Sequence, residues 1–278
     1  RVSAQTVSRV AFCLDREVRK YHQRTLTDSY RFVFFDGVVL KHKGVSRVHR
    51  RVILCSYGVG WDGRKEIIDF LLATSESQNA WEGFLRDLYG RGLEGKVCEL
   101  IVTDGGKGLL GALEIVYPHI ARQHCWAHKS RNVLDRVRKA DQKRVKRDLH
   151  RISHGKSRQQ AIEAYWDFCQ KYRTVYPAAV KSLEREIDDL LCFYQVRLSQ
   201  QEKTGLGAEE LQKAQESLWR KLRTTNLIER AFREVRRRTR PMGVFNNRNS
   251  MERIIFAVFY YLNHKGQEEP PFPFTQDS

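Results

Sequence analysis

Three strand-like runs follow one another near the start of this chain, and after them strand and helix patterns alternate. The runs are RFVFFDGVVLKHK (Arg31–Lys43), HRRVILCSYGV (His49–Val59) and KEIIDFLLA (Lys65–Ala73). Each is dense in β-branched and aromatic residues. Short polar or glycine-bearing turns separate them, which predicts an antiparallel meander. In Glu76–Gly92, Trp81, Phe84, Leu85 and Leu88 fall at i, i+3, i+4 and i+7, the spacing of an amphipathic helix that Gly90 and Gly92 would end. Lys96–Asp104 predicts a fourth strand, GKGLLGALEIVYP a helix stopped by Pro118, HIARQHCW a short fifth strand and AHKSRNVLDRVRK the start of a further helix. The order β-β-β-α-β-α-β-α implies an α/β fold, a mixed sheet flanked by helices.

From residue 139 to 222 the strand signals vanish. Helical patterns such as RQQAIEAYWDFCQKY and AVKSLEREIDDLLCFY dominate, with LSQQEKTGLG as an exposed turn among them. This predicts an all-helical insertion. Residues 1–28 read as a helical segment, either a remnant of a DNA-binding helix-turn-helix or an ordinary amphipathic linker. The expected division is therefore 1–28 helical segment, 29–138 first part of the core, 139–222 insertion, 223–265 second part of the core and 266–278 flexible, proline-rich tail. The chain begins with Arg1 rather than methionine, so a missing N-terminal portion is expected, with processing as the other account.

Charge narrows the partners. Fifty Lys and Arg against 33 Asp and Glu leave +17. Nucleic acid is the commonest reason for such an excess, and an anionic membrane surface the second. No apolar run approaches the ~18 residues of a spanning helix, and IIFAVFYYL (Ile254–Leu262) reads as a core element. No signal peptide is visible. The six cysteines show no C-x-x-C spacing, which fits reduced, buried thiols in a cytosolic protein.

Three carboxylates stand out. Asp36 lies within an apolar strand, where an isolated charge costs several kcal/mol unless an arginine or a cation compensates it. Asp104 ends the fourth strand before GGKG, a position that also suits a turn or an N-cap. RTTNLIERAFREVRRRTR (Arg223–Arg240) supplies two more candidates. Asn226 and Glu229 have capping-box spacing, and Glu234 can pair with Arg230 or Arg238. Ile228, Ala231, Phe232 and Val235 form the apolar stripe, with Glu229 and Glu234 on either side of it. Arg233, Arg236, Arg237, Arg238 and Arg240 are too many for a solvated face with paired acids, and phosphate contact accounts for them. Carboxylates beside phosphate-binding arginines suit two divalent ions, ~3.5–4 Å apart, in phosphoryl transfer on nucleic acid.

Two segments, TDGGKGLLGALEIVYPHIARQHCWAHKSRN and RTTNLIERAFREVRRRTRPMGVFNN, resemble the Mutator-type transposases of bacterial insertion sequences. The similarity extends to FFDGVVL, ESQNAWEGFLRDLYGRGLEG and NSMERIIFAVFYYLN, and covers most of residues 28–138 and 220–264. Its most specific pattern is Asp104, Gly105, Gly108, Leu109, Pro118, Gln123, Cys125 and His128, followed downstream by T-T-N-x-x-E-R. The resemblance implies a ribonuclease-H-like core with Asp36, Asp104 and Glu229 as catalytic, metal-holding carboxylates, two Mg²⁺ or Mn²⁺ ions, and the helical insertion between the second and third carboxylates. It selects Glu229 over Glu234, which composition does not separate. It implies cleavage at transposon ends and transfer of the freed 3′-hydroxyls into target DNA by a homodimer or larger assembly, in the cytoplasm and on the bacterial nucleoid. Full-length members carry a longer N-terminal region that binds transposon ends.

Around this trio, Cys125 and His128 form a C-x-x-H. A structural zinc site would need a second pair of ligands, and none is in sight. The motif is read either as support for the active site or a DNA contact, or as a buried thiol beside a helix-start histidine. Lys129, Arg131 and Asn132, with the basic run from Arg136 to Arg147, are expected to face DNA, as are Asn226, Arg230 and the arginines that follow. Two other functions remain open on sequence: a non-catalytic, domesticated DNA-binding relative, and a different ribonuclease-H-like nuclease.

Overall fold

The computed structural model describes residues 3–43, 48–242 and 247–268. The chain is α/β, with a five-stranded mixed sheet and flanking helices. It divides into two compact units, one comprising residues 3–98, 107–118 and 227–268, the other 99–106 and 119–226.

The first unit contains the expected meander. β1 (Tyr30–Lys43), β2 (Val48–Gly60) and β3 (Lys65–Ala73) pair antiparallel, with Asp36 opposite Cys55 and Cys55 opposite Phe70. Residues 31–36 of β1 are all buried, so both faces of this strand are covered at that point. α2 (Gln78–Gly90) starts on the Ser77 side chain, which accepts the Ala80 N–H, and buries the expected Trp81, Phe84, Leu85 and Leu88. α3 (Lys107–Val116) packs on α2. A Cβ on Gly108 would lie 2.5 Å from the Glu76 carbonyl oxygen, so glycine is required by the approach of the two helices.

The outer edge of β3 is closed by side chains. α1 (Ala4–Gln23) and α12 (Arg248–Glu268) both pack against this strand. The Tyr21 hydroxyl donates to the Ile67 carbonyl at 2.6 Å, and the Asn263 amide brackets the same residue, accepting from its N–H at 2.8 Å and donating to its oxygen at 3.0 Å. Arg24 donates to the Ile68 carbonyl at 2.6 Å. Inward-facing Asp69 is buried and compensated by Arg91, by His22 Nδ1 at 2.7 Å and by the Phe70 N–H at 2.7 Å. An edge strand that would otherwise invite another chain is thus satisfied within the unit. α12 runs on to Glu268, into the stretch expected as a tail, and residues 269–278 lie outside the described residues. So do residues 243–246 of the RPMGVFNN segment.

The second unit begins with a parallel pair, β4 (Leu100–Thr103) and β5 (Arg122–His124), in which Thr103 lies opposite His124. Both are shorter than their apolar patterns suggested, because a turn occupies residues 96–97 and a further turn precedes β5. α4 (Trp126–Leu134) follows. Every later element of the unit is helical: α5 (Lys139–Ser153), α6 (Arg158–Tyr172), α7 (Pro177–Glu184), α8 (Ile187–Leu190), α9 (Gln200–Lys203) and α10 (Ala208–Leu222), with a short 3-10 turn at Cys192–Gln195. LSQQEKTGLG therefore contains one helical turn, held by a capping box between Ser199 and Glu202. Val145, Leu149 and Ile152 of α5 and Phe168 and Tyr172 of α6 are buried. α11 (Asn226–Thr239) leads back into the first unit. No helix among the described residues is long and apolar enough to cross a membrane.

Candidate active site

In the second unit the site residues gather at the carboxyl ends of the two parallel strands, where open α/β sheets place their ligands. Asp104 leaves β4 into a turn made by two glycines. Its Oδ1 accepts the Gly106 N–H at 2.8 Å, and the Thr103 hydroxyl accepts the Gly105 N–H at 3.1 Å. Gly105 has φ +81°, a left-handed conformation that a side chain would strain. The D-G-G sequence thus fixes the direction of the carboxylate and leaves it half-exposed.

Beside this turn lies a network that the sequence did not disclose. His124 Nδ1 lies 3.1 Å from Glu186 Oε2, and Lys129 Nζ lies 2.6 Å from Glu186 Oε1. Burial by itself pushes the Glu186 carboxyl up, but the hydrogen bonds from His124 and Lys129 outweigh it and hold the group at about 2. Lys129, expected to face DNA, is instead 4% exposed and paired with Glu186, whereas Arg131 and Asn132 of the same helix are exposed.

The C-x-x-H motif has a structural partner. Cys125 N–H donates to the Thr103 carbonyl at 2.8 Å, which ties the cysteine to the strand carrying Asp104. Its sulfur accepts from the backbone N–H of Thr225 at 3.4 Å and from the Thr225 hydroxyl at 3.6 Å. The Trp126 N–H donates to the Arg223 carbonyl at 2.9 Å. Burial pushes the Cys125 thiol up, but hydrogen bonds from His128 and from Thr225 bring it below its ordinary value. The motif therefore anchors R-T-T-N, the segment that enters α11. Gln123 ties β5 to the segment around Leu190 and Phe193. Its buried amide donates to the His124 and Leu190 carbonyls at 2.7 and 3.0 Å and accepts the Phe193 N–H at 2.8 Å. α11 begins at Asn226 itself, so Asn226 is its first helical residue rather than its cap, and the expected capping box with Glu229 is not formed.

In the first unit Asp36 is 4% exposed in the middle of β1, and its Oδ1 accepts the Gly37 N–H at 2.8 Å. Burial, and after it the charges of Asp36 and Asp69, push the neighbouring Cys55 thiol well up. On α11 the stripe Ile228, Ala231, Phe232 and Val235 is buried as expected. The two glutamates then separate. Glu234 is bound by Arg237 at 2.9 Å and by Arg238 at 2.5 Å, which fulfils the Arg238 pairing. Glu229 is half-buried in the first turn, and its side chain makes no hydrogen bond or ion pair among the described residues. Arg230, Arg233, Arg236, Arg237 and Arg240 are exposed, and Arg238 lies over the Tyr261 ring at 5.4 Å. Among the described residues no three His, Cys, Asp or Glu side chains are grouped so as to hold a metal ion.

Comparison with known proteins places this arrangement. The family described as "Transposase, Mutator family" matches residues 1–268. The transposase for insertion sequence element IS905 of Lactococcus lactis is 27% identical over 263 residues, covering 95% of this chain and 62% of the relative. That for IS1081 of Mycobacterium tuberculosis is 30% identical over 259 residues, covering 93% and 58%. That for IST2 of Acidithiobacillus ferrooxidans is 37% identical over 190 residues, covering 68% and 58%. The chain spans between 58% and 62% of the length of these relatives. A family match along nearly the whole chain, through the D-G-G turn, the cysteine that anchors R-T-T-N and the α11 stripe, shows that the chain belongs to the Mutator family of transposases.

Proposed function

We propose that this chain is the catalytic portion of a DNA transposase that cuts transposon ends and joins their 3′-hydroxyls to target DNA, with Asp36, Asp104 and Glu229 as its catalytic carboxylates. The observation that carries the reading is the division of labour on α11: Glu234 is spent on two arginines, and Glu229 has no partner among the described residues. The family's relatives are named as transposases for insertion sequences. The element order β1-β2-β3-α2-β4-α3-β5-α4 supports reading the core as ribonuclease-H-like. On this reading residues 29–138 and 223–265 make that core and helices α5–α10 are its insertion. The assembly on DNA is a homodimer or larger, in the cytoplasm and on the nucleoid.

Two Asp and one Glu are a donor set of hard oxygens, which suits Mg²⁺ or Mn²⁺. Asp104 has one carboxylate oxygen committed to Gly106, and Glu229 has neither oxygen committed among the described residues. When bound, two such ions supply activation of the attacking oxygen and stabilisation of the leaving one. The protein's own part is positioning. The glycine turn aims Asp104, Cys125 and His128 hold the entry to the helix of Glu229, and the exposed arginines of α11 hold DNA phosphates by charge-assisted hydrogen bonds.

The test is Asp104→Asn, which keeps the size and the Gly106 acceptor and removes the charge. With Mg²⁺ and a duplex bearing the ends of the chain's own insertion sequence, the variant is expected to lose strand cleavage by at least about a hundredfold while its DNA affinity stays within about twofold of the wild type. Cleavage that persists in the variant would sink the catalytic assignment. Equal inactivity of both proteins with intact DNA binding would favour a non-catalytic relative, and cutting without joining a different nuclease.

A further inference from the structure

The helical unit carries an open cavity of about 1010 Å³, bordered among others by His154, Lys156, Phe193, Trp219, Arg220 and Arg223. Arg223 is the unusual member. It is only 9% exposed, and its guanidinium makes one hydrogen bond among the described residues, from Nη1 to the Ser153 carbonyl at 2.5 Å. Its carbon lies 5.9 Å from the centre of the Phe193 ring. No carboxylate bonds to it among the described residues. Burial lowers its pKa, and the like charge of Arg220 lowers it further. Of the glutamates that border the cavity, Glu210 bonds to the Gly207 N–H and Glu216 to the Gln212 amide.

A guanidinium does not neutralise itself by losing its proton, so a buried one without an anion carries a standing penalty of several kcal/mol. One carbonyl and one aromatic face offset only part of it. The remaining donors form a planar fork that matches a phosphate's oxygens in two parallel bonds. Arg220 and Lys156 add positive charge, and Lys156 is exposed. Partial desolvation, and then the charges of Arg223 and His150, depress the His154 imidazole to about 4.

We infer that this cavity is a phosphate-binding site centred on Arg223, with Lys156 and Arg220 as its outer donors. The phosphate belongs either to a DNA strand that passes over the helical unit or to a free small anion. The inference stands whether or not the carboxylates of the core cut DNA, because it uses none of them.

Acetylation of Lys156 by a lysine-reactive reagent, read by mass spectrometry on the whole chain, tests it. One arm adds a single-stranded oligonucleotide with photoreactive 5-iodouracil bases, and the other adds inorganic phosphate. Protection of Lys156 by the oligonucleotide, crosslinks within residues 154–156 or 219–223, and competition by phosphate would establish a DNA phosphate as the ligand. Protection by phosphate alone would establish the site with a free anion. In either case Arg223→Gln is expected to raise the concentration needed for protection about tenfold or more. Arg220→Ala, at an exposed position, is expected to raise it about threefold. If neither probe protects Lys156, or if both variants are protected like the wild type, the inference is wrong. Loss of melting temperature in Arg223→Gln with normal protection in Arg220→Ala would make Arg223 a packing residue and overturn it too. Asp104→Asn provides the separation from the catalytic reading, since its protection pattern is expected to match the wild type.

Discussion

Glu229 and Glu234 sit five residues apart on one amphipathic helix, and each flanks the same apolar stripe. Helical spacing gave both an arginine partner or a capping role, and only the family resemblance preferred one. The difference is physical. Glu234 lies one turn before Arg237 and Arg238, and both bond to it. Their hydrogen bonds hold its carboxyl below the ordinary range. Such a group is a poor ligand, since a cation would have to displace two arginines. Glu229 has no such competitor among the described residues. Glu229→Gln is therefore expected to reduce strand cleavage at least about a hundredfold, and Glu234→Gln by less than about threefold, with both variants melting near the wild-type temperature. Parallel single-turnover assays check the contrast. An inactive Glu234→Gln beside an active Glu229→Gln would reverse the assignment.

At the level of elements, the strands, the α2 stripe and the α11 stripe were legible because burial leaves a periodic trace in the sequence. Cys125 and the R-T-T-N segment were each legible as motifs, but not as bonded partners, because they meet across 100 residues. Glu186 left no trace. It comes from a charge-rich helical stretch 62 residues after His124, where one more glutamate looks like solvated surface. In the fold it neutralises buried Lys129 and braces the wall beside Gly105, whose added Cβ would lie 3.8 Å from Glu186 Oε2. The folded-state pKa of Glu186, about 2, lies below its ordinary 4.5. Its contribution to stability is therefore fully present above about pH 4.5, and is lost as pH falls through about 2. Glu186→Gln should cost about 2 kcal/mol at pH 7, less than for a fully enclosed pair because Glu186 keeps some solvent contact. It should cost little at pH 2. Urea melts at the two pH values measure the difference, and an equal loss at both would mean that packing rather than charge is responsible.

For the whole molecule the governing quantity is the net charge of +17, which suits a polyanion and says nothing about which sequence it reads. Charge is also where a composition argument and a structural one part. Many of the basic side chains are already engaged: Lys129 with Glu186, Arg91 with Asp69, Arg253 with Asp15, and Arg237 and Arg238 with Glu234. Arg233 and Arg236 on α11, and Arg240 just after it, are exposed and have no carboxylate partner among the described residues. Each phosphate neutralised releases condensed counterions, and the logarithm of affinity for duplex DNA falls with the logarithm of salt by about 0.9 per contact. Arg233→Ala and Arg236→Ala should each weaken binding across unrelated duplex sequences and reduce the salt slope by about 0.9. Arg253→Ala removes the same formal charge but breaks the ion pair to Asp15, whose bonds are 2.6 and 3.0 Å, so its salt slope should stay at the wild-type value. Fluorescence anisotropy over a series of salt concentrations distinguishes these outcomes. If all three variants shift the slope equally, net charge alone attracts DNA, and α11 has no special place in the interface. If only Arg233→Ala and Arg236→Ala shift it, the helix that carries Glu229 is also the one that grips the phosphate backbone.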